Sequence, residues 1–230
     1  MTTNREKFLN TIQTKLGHAL LPEASPEHPG TFQDYSFQAD ASQEELVAQF
    51  KQELEAISGH VHLLDDIEDI AQKILEILNS HQANRIIAWD NEALGLPGLT
   101  EALTEGGITI VENKISPNSA GRKENLAEMD NVVVGLTGAH GGLADTGAVA
   151  LISGPGRGRL ASLLPPVHIT LLSKNKLYPS IPSFLSAHPT ATADGSNLVF
   201  IAGPSRTGDI EMTLSMGVHG PGEVHVIITP

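Results

Sequence analysis

The residues able to do chemistry in this sequence concentrate in four segments of its C-terminal half. In GLADTGAVAL (142–151), Asp145 and Thr146 carry side chains that hydrogen-bond backbone amides, and Gly147 permits a tight turn or a close approach. An Asp-Thr-Gly turn is common and reads locally first as structural. In SGPGRGRLASLLPP (153–166), three glycines, Gly154 among them, alternate with Arg157 and Arg159. Backbone amides, glycine access and two guanidinium groups suit a carboxylate or phosphate. The competing reading is an exposed loop whose arginines face solvent. The segment has neither the Gly-Lys-Ser/Thr of a Walker loop nor the full GxGxxG spacing.

The third segment, GPSRTGDIEMTLSMG (203–217), follows an apolar run. The pattern predicts a helix over 209–216, with Ser205, Arg206 and Thr207 at its start, where a strand end and a helix N-terminus attract anions. Asp209 and Glu211 then fall in the first helical turn. They carry either an acid/base role or a structural one, since the helix dipole favours acids there in any case. The fourth segment, VHGPGEVHVII (218–228), holds His219, Gly220, Glu223 and His225. Glu223 and His225 share a strand face, but His219 could join them as a metal ligand only if its loop folded back. Hydrogen bonding by His219 within the Gly-Pro turn is the simpler reading, and no metal is expected. His168, at the start of an apolar strand, reads as a satisfied core or edge histidine.

Elements that position these segments follow from periodicity. Phe8, Ile12, Leu16 and Leu20 mark an amphipathic helix over 3–20, and 21–40 is rich in Pro, Gly and Ser, as a linker would be. A capping box of Ser42 and Glu45 opens a helix over about 42–58. Strands at 60–64, 85–89 and 107–111 alternate with helices at 66–80 and 98–106. A charged loop is expected at 112–125. Strands follow at 131–137, 147–152, 167–172, 197–202 and 223–229, with short helices at 160–163 and 181–187. The strands are continuous Val/Ile/Leu runs, and their alternation with helices predicts an α/β fold with a mostly parallel sheet flanked by helices. The expected organisation is an N-terminal helix and linker over 1–40 and an α/β domain over 41–230, with working loops mainly in 136–230.

Composition excludes several functions. The 230 residues hold no cysteine, so this chain carries no disulfide, no iron–sulfur cluster held by cysteine and no thiolate nucleophile. The net charge of −13 argues against nucleic acid and anionic membrane surfaces. That charge lies wholly in residues 1–135, with 9 Lys and Arg against 22 Asp and Glu; residues 136–230 hold 5 of each. No apolar run is long enough for membrane insertion, and the N-terminus lacks the apolar core of a secretory signal, so a cytoplasmic location is expected.

Taken together and in order, GLADTGAVALISGPGRGRLASLLPPVHITLL and NLVFIAGPSRTGDIEMTLSMGVHGPGEVHVIIT resemble the LUD (lactate utilization) domain family, within it the lactate utilization protein C type. The similarity is dense over 136–230, looser over 40–135 and weakest in the N-terminal helix. The resemblance implies a sheet architecture related to the sugar-phosphate isomerase and CoA-transferase superfamily. It also implies a place in a three-protein system oxidising L-lactate to pyruvate, with iron–sulfur subunits as partners and no cluster on this chain. It brings over positions without roles: Asp145, Thr146, Gly147, Gly154, Arg157, Arg159, Ser205, Arg206, Thr207, Asp209, Glu211, His219 and Gly220. Catalytic residues stay unassigned.

Three functions fit this reading. The first is an accessory or substrate-site subunit of the lactate-oxidising system, inactive alone, with a small carboxylate or phosphate held by Arg157, Arg159 or Arg206. The second is an independent CoA- or ATP-dependent transferase or ligase, whose Gly-Arg loop holds a nucleotide or CoA phosphate. The third is a non-catalytic scaffold. No covalently bound cofactor is expected in any of them.

Overall fold

The computed structural model describes residues 4–17, 41–208, 214–217 and 219–230. In the first 37 residues, which form a unit of their own, the described element is helix α1 (Asn4–Gly17). The expected linker over 21–40 lies outside the described residues.

The second unit begins with α2 (Gln43–Ala56). Ser42 and Glu45 cap it reciprocally, as the sequence predicts, and its apolar stripe buries Leu46, Phe50 and Leu54. Then come β1 (His60–Leu63), α3 (Ile67–Ser80), β2 (Arg85–Ala88), α4 (Asn91–Leu94), α5 (Leu99–Glu105), β3 (Thr109–Val111) and α6 (Ser119–Met129). Helix α6 replaces much of the expected charged loop at 112–125. Among its residues only Met129 is buried, so its sequence lacks a stripe that periodicity could detect. The chain continues through β4 (Val134–Gly138), β5 (Gly141–Leu143), β6 (Ala148–Ser153), α7 (Leu160–Leu163), β7 (Val167–Ser173), a short 3-10 turn (Lys174–Lys176), β8 (Leu177–Tyr178), α8 (Ile181–Ala187) and β9 (Asn197–Ile201). It ends with β10 (Arg206–Gly208), β11 (Leu214–Met216) and β12 (Glu223–Thr229).

Six strands form a parallel sheet in the order β1-β12-β7-β4-β2-β3. The fold is therefore α/β with a mostly parallel sheet flanked by helices. The sequence does not reveal a second sheet, ordered β8-β5-β6-β9, in which β6 pairs antiparallel with both β5 and β9. The reason is burial on two sides. Val149 and Leu151 of β6 enter the main core, while Ala148, Ala150 and Ile152 enter a smaller one with Leu143, Phe184 and Ala191. A strand buried on both faces shows no polar alternation, so its run looks like one more parallel strand. Two buried threonines, Thr137 and Thr170, satisfy His168 within the main sheet, with Nε2 at 2.9 and 3.0 Å from their hydroxyls.

Of the helix expected over 209–216, residues 209–213 lie outside the described residues, and 214–216 are strand. Residues 206–208 and 214–216 form an antiparallel ribbon, with Arg206 paired to Met216 and Gly208 to Leu214. The apolar spacing suits a helix, but Gly208 and Gly217 bracket the segment and the backbone bonds are satisfied across the ribbon instead. None of the described helices is long and apolar enough to cross a membrane.

The turn joining β5 to β6 docks directly on α2. Gly147 has φ +62°, and a Cβ there would lie 2.4 Å from the backbone nitrogen of Leu54. Gly147→Ala is expected to lower stability by about 1–3 kcal/mol, through left-handed strain and the clash together. A urea unfolding midpoint unchanged from wild type would contradict this docking.

Candidate functional site

The C-terminal end of β2, on the side of the sheet where parallel strands bind ligands, is covered by the Gly-Arg loop. The chain leaves central strand β4 at Gly138 and reaches His140, whose N–H donates to Ala150 O of β6. At the other end of β6, residues 154–157 close a tight turn with reciprocal backbone bonds: Gly154 N–H to Arg157 O and Arg157 N–H to Gly154 O. Pro155 and Gly156 occupy its centre, and Gly156 has φ +71°, as a type II turn requires at its third position. The loop then folds onto the end of β2. Asp90 N–H donates to Gly156 O at 2.9 Å and Trp89 Nε1–H to Gly158 O at 3.0 Å. A Cβ on residue 156 would lie 2.7 Å from the Asp90 carboxylate, so glycine is needed for proximity as well as for φ.

This turn aims Arg157 back at His140, with Nη1 2.9 Å from His140 Nε2. The amide of Ile152 donates to His140 Nδ1 at 3.1 Å. Burial first, then the charges of Arg157, Lys176 and His188, push the His140 pKa down to about 4, against a small opposing effect of Asp194. The ring is thus neutral at neutral pH and has one N–H. Its single lone pair cannot accept both the Ile152 amide and the Arg157 guanidinium, so one ring nitrogen faces a donor that it does not accept. The Nε–H of Arg157 is itself buried without a hydrogen-bond partner. Donors therefore outnumber acceptors at this corner, with Arg157 Nε–H the one left unpartnered. A cleft of about 300 Å³ lies alongside, lined by Trp89, Asp90, Thr100, Asn113 and Lys114 among others. Asp90 and Asn113 are also the residues against which Gly156 and Gly158 pack.

The other residues singled out in the sequence lie elsewhere. Arg159 is exposed at the start of α7, and Gly154 opens the turn that carries Arg157. Asp145, Thr146 and Gly147 sit at the opposite end of β6 from Arg157. Six residues at about 3.3 Å each put roughly 20 Å between the two ends. Asp145 Oδ1 is buried without a partner, and burial raises its pKa; its amide donates to Pro179 O. Arg206 is exposed and donates to Ile57 O and to Ser58 Oγ, so it caps the C-terminus of α2. Ser205 N–H donates to Pro221 O, and Gly220 lies against Ser205. Thr207 is a strand residue of β10, His219 is exposed, and Asp209 and Glu211 lie outside the described residues. Arg157 and Arg206, which the sequence offers as alternative anion ligands, thus stand in different surroundings, the first against His140 and the second against the end of α2. His140 was missed because a lone Ala-His-Gly-Gly after an apolar run carries no motif. Its only signal is its place at the end of a strand now known to be central.

Two outcomes follow. His140 and His168 both have depressed folded pKa values, about 4 and about 3 against 6.5, chiefly from burial. The unfolded chain therefore binds more protons below pH 6.5, and the stability present above 6.5 is lost as pH falls toward about 4. Fully buried His168 alone gives a slope of up to about 1.4 kcal/mol per pH unit. Urea titrations across this range should show the fall, and a flat profile would refute it. Arg206→Ala should cost up to about 1 kcal/mol of stability, the usual worth of a cation at a helix C-terminus. It should leave ligand affinity at the His140 corner unchanged by calorimetry.

Comparison with known proteins agrees with this architecture. A protein from Deinococcus radiodurans described as a DUF162 family protein has a crystal structure that superposes with a TM-score of 0.58, covering 83% of this chain and 99% of that one, at 20% identity. Lactate utilization protein C of Geobacillus sp. (strain WCH70) is 31% identical over 98% of this chain and 95% of its own length. The protein of the same name from Shouchella clausii is 30% identical over 96% and 95%. The LUD domain model matches residues 47–229, which takes in both sheets and the whole Gly-Arg loop. On that match and these near full-length relatives, the chain belongs to the LUD domain family.

Proposed function

We propose that this chain is the substrate-site component of a cytoplasmic lactate-utilization system and holds the carboxylate of a small 2-hydroxy acid between Arg157 and His140. The observation that carries this reading is the buried Arg157 Nε–H without an acceptor, beside a neutral histidine that faces two donors. A carboxylate supplies two acceptor oxygens in the plane a guanidinium prefers. The Nε and one Nη of Arg157 take a bidentate pair, and once the guanidinium turns from His140 to the ligand, Nε2–H of His140 donates to a carboxylate or hydroxyl oxygen. Lys176 adds to the local positive potential. The choice of lactate rests on the names of the relatives.

Oxidation of lactate to pyruvate releases two electrons and two protons. With no cysteine in the chain, the electrons leave through partner subunits, which in this reading carry iron–sulfur clusters. His140 is not the base, because its lone-pair nitrogen is occupied by Ile152 N–H. Its role is to bind and orient.

The reconstituted complex tests this by lactate-dependent dye reduction. Arg157→Ala should abolish turnover with the complex intact, the loss in binding being about 2 kcal/mol or more for a buried charge partner. Arg157→Lys should restore little, since a point charge cannot form the bidentate pair. Arg159→Ala and Arg206→Ala should retain turnover. Wild-type rates from Arg157→Ala would overturn the assignment.

A further inference from the structure

A second cluster lies at the other edge of the parallel sheet, where β1 and β12 begin. The sequence places His-Val-His at 60–62 and Glu-Val-His at 223–225. The parallel register sets His60 opposite His225. Alternation along each strand then puts His60, His62, Glu223 and His225 on one face. His225 Nε2 lies 2.7 Å from Glu223 Oε1, and its Nδ1 lies 3.1 Å from His62 Nε2. His81, just past the end of α3, brings Nε2 to 3.3 Å from the second carboxylate oxygen, Oε2. The rings of His60 and His225 stack with centroids 4.7 Å apart. One ligand atom each from His60, Glu223 and His225 falls within 4.8 Å of the others.

We propose that His60, Glu223 and His225 bind one divalent transition-metal ion of the zinc class. Two imidazoles and a carboxylate form a borderline nitrogen–oxygen set, which suits Zn²⁺, Co²⁺ or Ni²⁺ and not the all-oxygen preference of Ca²⁺ or Mg²⁺. Bonds of about 2.0–2.2 Å in a tetrahedral site put ligand atoms roughly 3.3–3.5 Å apart. The pair at 2.7 Å must open slightly and His60 must close, both within side-chain rotation. When Nε2 of His225 turns to the metal, its Nδ1–H donates to His62 Nε2, the outer hydrogen bond that fixes a ligating tautomer. His81 braces the free carboxylate oxygen in the same way. Hydrogen bonding alone accounts for His62, His81, Glu223 and His225. It does not account for His60, which enters only by stacking with a nitrogen in ligand range. Because His60 is exposed and His225 buried, the site opens to solvent on one side and leaves a coordination position for water. It is separate from the His140 corner, since β1 and β12 begin at this edge while β2 and β4 end at the other.

The test uses the tag-free full chain, stripped with a chelator and titrated with Co²⁺, which reports its own coordination by visible absorption. One equivalent should bind and be displaced by Zn²⁺, and the thermal midpoint should rise with ion concentration. His60→Ala, an exposed position that should not disturb folding, and Glu223→Gln should each abolish the stoichiometric uptake. His62→Ala should weaken affinity roughly 10–100-fold as an outer-shell partner. His219→Ala should bind as wild type. No saturable uptake, or uptake that survives both His60→Ala and Glu223→Gln, would overturn the proposal.

Discussion

The corner where Arg157 meets His140 depends on two hydrogen bonds that tie the Gly-Arg loop to the end of β2: Asp90 N–H to Gly156 O and Trp89 Nε1–H to Gly158 O. Without them Arg157 is one more long side chain on a surface loop, free to sample solvent. With them its guanidinium is confined against His140, and the entropy of ordering it is met at folding and not at binding. The tie demands glycine at 156, for φ and for the proximity of Asp90. It also demands a tryptophan long enough to reach across from the core, where it is 2% exposed. The alternation of glycine and arginine is therefore a matter of backbone access first and charge second.

The second sheet decides which residues share that corner. Strand β6 spans it and carries Arg157's turn at one end and the Asp145–Gly147 turn at the other. A rigid strand between two motifs keeps them apart, so motifs adjacent in sequence serve different ends of the molecule. The Asp-Thr-Gly turn seats α2, and Arg206 caps the same helix through Ile57 O. These two motifs, which resemble binding elements in sequence, hold α2 in place.

The parallel sheet thus presents two edges of different chemistry. The edge of strand ends carries a cationic, donor-rich corner made by Arg157 and His140. The edge of strand beginnings carries four imidazoles around a carboxylate. The first assembles from loops that fold back; the second is written in the strands, two residues apart on neighbouring β1 and β12. Burial keeps His62 and His140 neutral, each at a pKa of about 4. Their ring nitrogens are then available for hydrogen bonding without the cost of a buried charge.

Local pattern determined much of this protein. The capping box of Ser42 and Glu45, the strands of the parallel sheet, the short helix at 160–163 and the Gly-Arg loop are all legible in sequence, because each depends on neighbours within a few residues. The pairing of 206–208 with 214–216 was not legible, because its bonds are made between segments and the apolar spacing fits a helix equally well. Nor was the second sheet, because a strand covered on both faces carries no alternation to say which sheet it joins. The pairing of His140 with Arg157 and of His60 with Glu223 and His225 belongs to tertiary structure alone. Strand order sets which residues become neighbours across a sheet, and no local periodicity records that order.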